Sequence, residues 1–168
     1  HDWLPGETVD DQYTAGFVIR GPRVVGHTPA SPSAGPVAAV QLRFDQPMNQ
    51  TSFDPAADIV SFTGPGGTVA ATGFSWLDSQ TLEIAFAAQS AAGQYQLVLG
   101  PQVLDAEGNA LDQDRDGQRG ETLDDRYTAT FRISSYVSGT IAQNTTWSGF
   151  VAVRGAVTVA AGAPLIVQ

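Results

Sequence analysis

Fourteen residues, "DQDRDGQRGETLDD" at 112–125, hold six of the chain's seventeen carboxylates: Asp112, Asp114, Asp116, Glu121, Asp124 and Asp125. Like charges gathered this densely repel one another unless they stay in water or surround a cation. The first half is ordered, with Asp at alternate positions and then Gly117. In this D-x-D-x-D-G arrangement alternate side chains converge on one ion and the glycine permits a sharp turn. A hard cation such as calcium takes about six to eight oxygens, and this stretch offers little else. The competing reading is a solvated acidic turn, the usual fate of a charge run. The strict alternation and the placement of Gly117 argue against it.

Other chemistry finds few handholds. The two histidines, His1 and His27, have no serine elbow nearby, and no glycine-rich phosphate cradle is present. An enzyme is therefore not expected. With no cysteine there is neither a disulfide framework nor a thiolate metal site. A net charge of −9 with only eight basic residues leaves no face for nucleic acid. No apolar run approaches the roughly 18 residues of a membrane helix, so membrane insertion is not expected. Trp3, Trp76 and Trp147 with Tyr13, Tyr95, Tyr127 and Tyr136 could stack on sugars, although Tyr95 and Tyr127 fall in phase with apolar neighbours and read better as core.

The elements that must position the acidic stretch are β-strands. Period-2 runs at 23–28, 37–44, 58–64, 68–76, 80–86, 93–100 and 127–133 are separated by Gly, Pro, Ser and Asn clusters. Seven short strands in one unit predict an all-β, immunoglobulin-like antiparallel β-sandwich. Its expected core comprises Ala38, Val40, Leu42 and Phe44, then Leu82, Ile84 and Phe86, then Tyr95, Leu97 and Leu99, then Tyr127, Ala129, Phe131 and Ile133. The stretch "FDQPMNQTSFDP" should hold an irregular or single-turn helical crossover, because its prolines block regular pairing.

One internal repeat sets the boundaries. "GETVDDQYTAGFVI" from Gly6 recurs as "GETLDDRYTATFRI" from Gly120, with ten of fourteen residues identical. Residues 1–20 therefore read as the last strand of a preceding unit, 21–134 as one complete sandwich, and 135–168 as a β-rich segment opening another module or a β-helix. The chain begins at His1 without a signal peptide, so a piece of a longer polypeptide is expected. The first copy retains Glu7, Asp10 and Asp11, a possible partial second metal site lacking the triple-Asp half.

Within 21–134 the motifs resemble bacterial Ig-like domains of the surface-layer protein type. They are "VVGHTPASPSAGPVAAVQLRFDQPMN" with its Phe-Asp-x-Pro-Met signature, "TLEIAF", "GQYQLVL" and the Asp-x-x-Gly-Asn turn of "VLDAEGNALD". That resemblance implies a bacterial extracellular or cell-surface sandwich, used in tandem as spacer, stalk, fibre or adhesion module. Its partners would be neighbouring repeat domains of the same or adjacent chains. The acidic stretch resembles EF-hand-like and dockerin-like calcium loops, which implies Asp112, Asp114 and Asp116 as side-chain ligands and Gln118 through its backbone carbonyl. Where such loops place a closing bidentate Glu this chain has Leu123, so Glu121 and one of Asp124 and Asp125 are expected to complete the site. The "SGTI", "TTWSG" and "VTVAAGAPL" cadence after Ser135 resembles the opening of extracellular β-helix proteins, although a hairpin would also fit. The alternative role is then an accessory or carbohydrate-binding domain of a large secreted polysaccharide-active protein, with polysaccharide as its partner.

Overall fold

The computed structural model describes residues 14–17, 19–148 and 151–168. Two sheets face each other. The first has the order β1 (Val24–Thr28), β3 (Val37–Phe44), β7 (Thr81–Gln89) and β6 (Ala71–Trp76), all antiparallel. The second runs from β5 (Gly67–Thr68) through β4 (Ile59–Gly64) and β8 (Gly93–Leu99) to β9 (Tyr127–Ile141), with the short β2 (Ser33–Ala34) parallel to β9. A single helical turn, α1 (Pro55–Asp58), precedes β4. It is capped by the Asp54 carboxylate, which accepts the Ala56 N–H, and opens on a proline whose missing donor costs nothing there. Among the described residues no helix is long and apolar enough to cross a membrane.

Alternation along the strands fills the space between the sheets. Val40, Leu42 and Phe44 meet Leu82, Ile84 and Phe86 from the first sheet and Phe62, Tyr95, Leu97, Leu99, Phe131 and Ile133 from the second. Phe62 and Phe86 cross the gap edge to face at 4.8 Å, and Tyr95 lies flat on Phe131 at 5.1 Å. Such ring pairs add about 0.5–1.5 kcal/mol each beyond the area they bury. The one reversal lies at the start of β3, where Val37 is buried and Ala38 exposed. A bulge between Val37 and Ala39 shifts the register there, so a residue expected outside turns in.

β9 is longer than the run 127–133 that its alternation predicts. It pairs with β8 over Tyr127–Ile133 and continues unbroken to Ile141. Over Ser135–Ile141 it pairs in parallel with β11 (Val151–Val159), and β10 (Thr145–Trp147) pairs in parallel with β12 (Leu165–Val167). The boundary drawn at Ser134 thus falls inside a continuous strand.

Candidate metal centre

The connection from β8 to β9 carries the acidic stretch, and its first half is anchored before the acidic residues begin. Asp105 is fully buried and accepts the N–H groups of Glu107 and Asn109 and the side-chain amides of Asn109 and Gln46. Ala106 N–H donates to the Pro47 carbonyl and Asn49 N–H to that of Leu104. The "FDQPMN" and "DAEGN" motifs are therefore two halves of one clamp. Val103 and Leu111 are both fully buried pegs beneath the connection.

The peg at Leu111 carries its neighbour inward. Asp112 is only 1 % exposed, and its N–H donates to the Pro22 carbonyl. Its Oδ1 accepts the Gly117 N–H at 3.4 Å, while its buried Oδ2 has no partner at all. Left-handed backbone at Arg115 and Gly117, φ 70° and 91°, coils the chain around this atom. Asp114 accepts the Asp116 N–H, and Asp116 accepts both the N–H and the side-chain amide of Gln118. Carboxylate oxygens of Asp112, Asp114 and Asp116 consequently all lie within 4.8 Å of one another. Three negative charges at that separation, one of them out of water with an unsatisfied oxygen, form a site that a cation would complete.

The second half of the stretch divides its labour. Asp125 is fully buried, and its two oxygens accept the N–H groups of Gln113 and Glu121, tying the loop's ends together. Partial desolvation first, and then the negative charges of Asp116, Asp124, Asp125 and Asp114, hold Glu121 above the usual carboxylate range. Two of the three clustered carboxylates, Asp116 and Asp114, are thus among the charges that act on it. Asp124 is exposed, and Glu7, Asp10 and Asp11 lie outside the described residues.

Sequence reasoning missed two residues that fasten this loop to the start of the domain. Gln113 bonds the backbone of Val24 in β1, and Asp45 receives Arg23 at 3.3 Å and Arg115 at 3.9 Å. Gln113 had a signal in hindsight, since it alternates out of phase with the acidic ligands. Asp45 lies too far away in sequence to have one.

Of the aromatic residues, Trp3 and Tyr13 lie outside the described residues, and three of the others serve the fold. Tyr95 is core, Trp76 packs on Phe44 and donates to the Gln50 carbonyl, and Tyr127 bonds His27. Both His27 nitrogens are engaged, Nε2 with the Thr130 carbonyl and Nδ1 with the Tyr127 hydroxyl. A carbonyl only accepts, so Nε2 carries the proton and His27 serves as a tie between β1 and β9.

Two facing sheets around one core define an immunoglobulin-like sandwich. Residues 19–122 match the bacterial Ig-like domain family, and the chain belongs to it. No curated protein matches. Among solved structures, similarity is found to surface layer protein SbsC, domains 1–6, at 13 % identity and a TM-score of 0.44, over 74 % of this chain and 16 % of that one. The S-layer protein rSbsC(31-844) is similar at 17 % identity and 0.43, over 74 % and 15 %. The N-terminal part of the bacterial S-layer protein SbsC follows at 15 % and 0.44, over 76 % and 27 %. The chain thus spans between 15 % and 27 % of the length of those chains.

Proposed function

We propose that this chain is a non-catalytic, calcium-stabilised structural module of a bacterial extracellular or cell-surface protein built from tandem domains, acting as a spacer in a stalk, fibre or surface array. The observation that carries the reading is the buried, unpartnered Oδ2 of Asp112 within a converging triple-Asp cluster, on a loop that holds both ends of the domain. Asp112, Asp114 and Asp116 would bind through side chains, Gln118 through its carbonyl, and Glu121 or Asp124 would close the shell. We assign Asp125, whose oxygens accept two N–H groups, to holding the loop in shape. The ion would cancel the repulsion that otherwise loosens the loop.

Neighbouring units are the proposed partners. Phe17 and Ile19 are 83 % and 63 % exposed, whereas their counterparts in the repeat, Phe131 and Ile133, are buried. That contrast supports residues 1–20 as the closing strand of a preceding sandwich whose core they would fill. Melting the chain with calcium and then with chelator, alongside calorimetry, tests the metal. An unchanged Tm with no heat of binding would sink it.

The parallel pairing of β9 with β11 and of β10 with β12 favours a second reading, in which the sandwich is an accessory domain preceding a β-helix and a polysaccharide is the partner. Glycan-array binding would distinguish it from a purely structural spacer.

A further inference from the structure

Four residues that bring the chain into the sandwich are gripped by the acidic loop. Phe17, Ile19 and Arg20 are exposed, and then Gly21 and Pro22 are buried at once. A Cβ on Gly21 would strike the Ala110 carbonyl and press on the Arg119 side chain, so a side chain there would push the connector off the loop. The Pro22 carbonyl accepts the Asp112 N–H at 2.9 Å. The N–H and the guanidinium of Arg23 both donate to the Asp45 carboxylate, which Arg115 of the loop also meets at 3.9 Å. Val24 is bonded at both its N–H and its carbonyl to the Gln113 side chain. The gripping stretch, 110–119, is the one that holds Asp112, Asp114 and Asp116.

These contacts cluster at the end of the sandwich where β9 begins. From Tyr127, opposite Leu99, β9 runs to the other end, where Ile133 faces Gly93 on one side and Ser33 on the other. The segment 135–168 therefore leaves from the far end, whereas residues 14–20 arrive at the end that carries the triple-Asp cluster. The internal repeat fixes how close they come. Ile19 corresponds to Ile133, the last core residue of this sandwich, so Arg20 alone separates a preceding closing strand from the gripped Gly21.

We propose that calcium in the triple-Asp cluster locks the connector, residues 21–24, and so sets the stiffness of the joint between this sandwich and the strand that precedes it. The inference rests on the calcium reading of the cluster, which the buried and unpartnered Oδ2 of Asp112 supports independently of the clustering. Asp112 serves both ends of the coupling, its carboxylate lining the ion site while its N–H holds Pro22. Arg115, set between two of the ligands, carries the tie to Asp45 and through it to Arg23. Freeing the connector therefore means breaking its bonds to residues 112 and 113, whose positions a bound ion would hold. A local opening that must first release the ion becomes rarer by about a hundredfold when calcium stands at a hundredfold excess over its Kd.

The test follows amide exchange at Arg23 and Val24 of the 168-residue chain, first in calcium at that excess and then in chelator, alongside calorimetry. The expected result is about hundredfold slower exchange of both amides in calcium, with no change at Thr145–Trp147 beyond the far end of the sandwich. Gln113→Ala and Gly21→Ala leave the three aspartates in place. Each should still give a heat of calcium binding while losing most of the slowing at Arg23. Unchanged exchange at Arg23 and Val24 despite a heat of binding would overturn the locked joint and leave the calcium reading standing. No heat of binding would sink that reading and the joint with it. Slowing at Arg23 that survives undiminished in both variants would show that the ion acts on the fold as a whole, and would reject the grip as its route.

Discussion

Gln113 closes both halves of a ladder with Val24, its Oε1 accepting the Val24 N–H at 2.9 Å and its Nε2 donating to the Val24 carbonyl at 3.1 Å. One side chain thus imitates a β-strand and binds the acidic loop to the first residue of β1. Gln113→Ala removes both bonds and leaves a buried backbone pair without protein partners, so a loss of about 1–2 kcal/mol is expected in urea unfolding. Gln113→Glu should do worse, since a carboxylate cannot donate to the carbonyl and adds a negative charge beside Asp112. Equal stability of wild type and both variants would show that the ladder contributes nothing.

Calcium at a hundredfold excess over its Kd should stabilise the chain by about 2.7 kcal/mol. Asp114→Asn and Asp116→Asn should each weaken that response, and Asp112→Asn should abolish it. In chelator, however, Asp112→Asn should melt no lower than wild type, because it removes repulsion with Asp114 and Asp116. A full calcium shift in Asp112→Asn would remove the triple-Asp cluster from the binding site.

Asp58 supplies a pH signature away from the loop. Burial is the largest influence and raises its pKa, the hydrogen bond from the Asp54 N–H opposes it, and the Asp54 charge raises it again. A carboxyl with a raised folded-state pKa binds its proton more tightly folded than unfolded. Its contribution is therefore fully present below the unfolded value and is lost as pH rises through the folded one. Asp58→Asn keeps an oxygen for the Asp54 N–H, so its stability relative to wild type should rise between about pH 3 and pH 7. A difference that stays flat across that range, measured in chelator, would contradict the assignment.

Glycine substitutions should separate packing from backbone freedom. A Cβ on Gly64 would lie 2.4 Å from the Tyr95 ring, which cannot retreat because it is stacked on Phe131. Gly64→Ala should cost about 1–3 kcal/mol, the usual range for overpacking. Gly73 in β6 has nothing within 4 Å of that position, and Gly73→Ala should be neutral or stabilise by about 0.4–1 kcal/mol. Paired thermal melts check both.

The sandwich was legible wherever a strand buries one face, because Leu82, Ile84 and Phe86 or Leu97 and Leu99 state their period locally. Val37 and Ala38 were misplaced because a bulge is a register event set by the partner strand. The continuation of β9 past Ile133 was hidden, since "SSYVSG" loses the apolar alternation that pairing with β8 had imposed. In the acidic stretch the converging side chains could be read from spacing alone. The burial of Asp112 could not, because it depends on the buried Leu111 beside it and on a hydrogen bond from its N–H to the carbonyl of Pro22, far away in sequence. Nor could the division between Asp125, which holds backbone, and Glu121, which feels the cluster.

The unbroken course of β9 also settles how tension would enter the domain. A pull transmitted from the C-terminal segment travels along the strand axis and meets the ladder with β8, from Leu99 opposite Tyr127 to Gly93 opposite Ile133. Those hydrogen bonds lie across the pull and share it in shear, so they must fail together rather than unzip one by one.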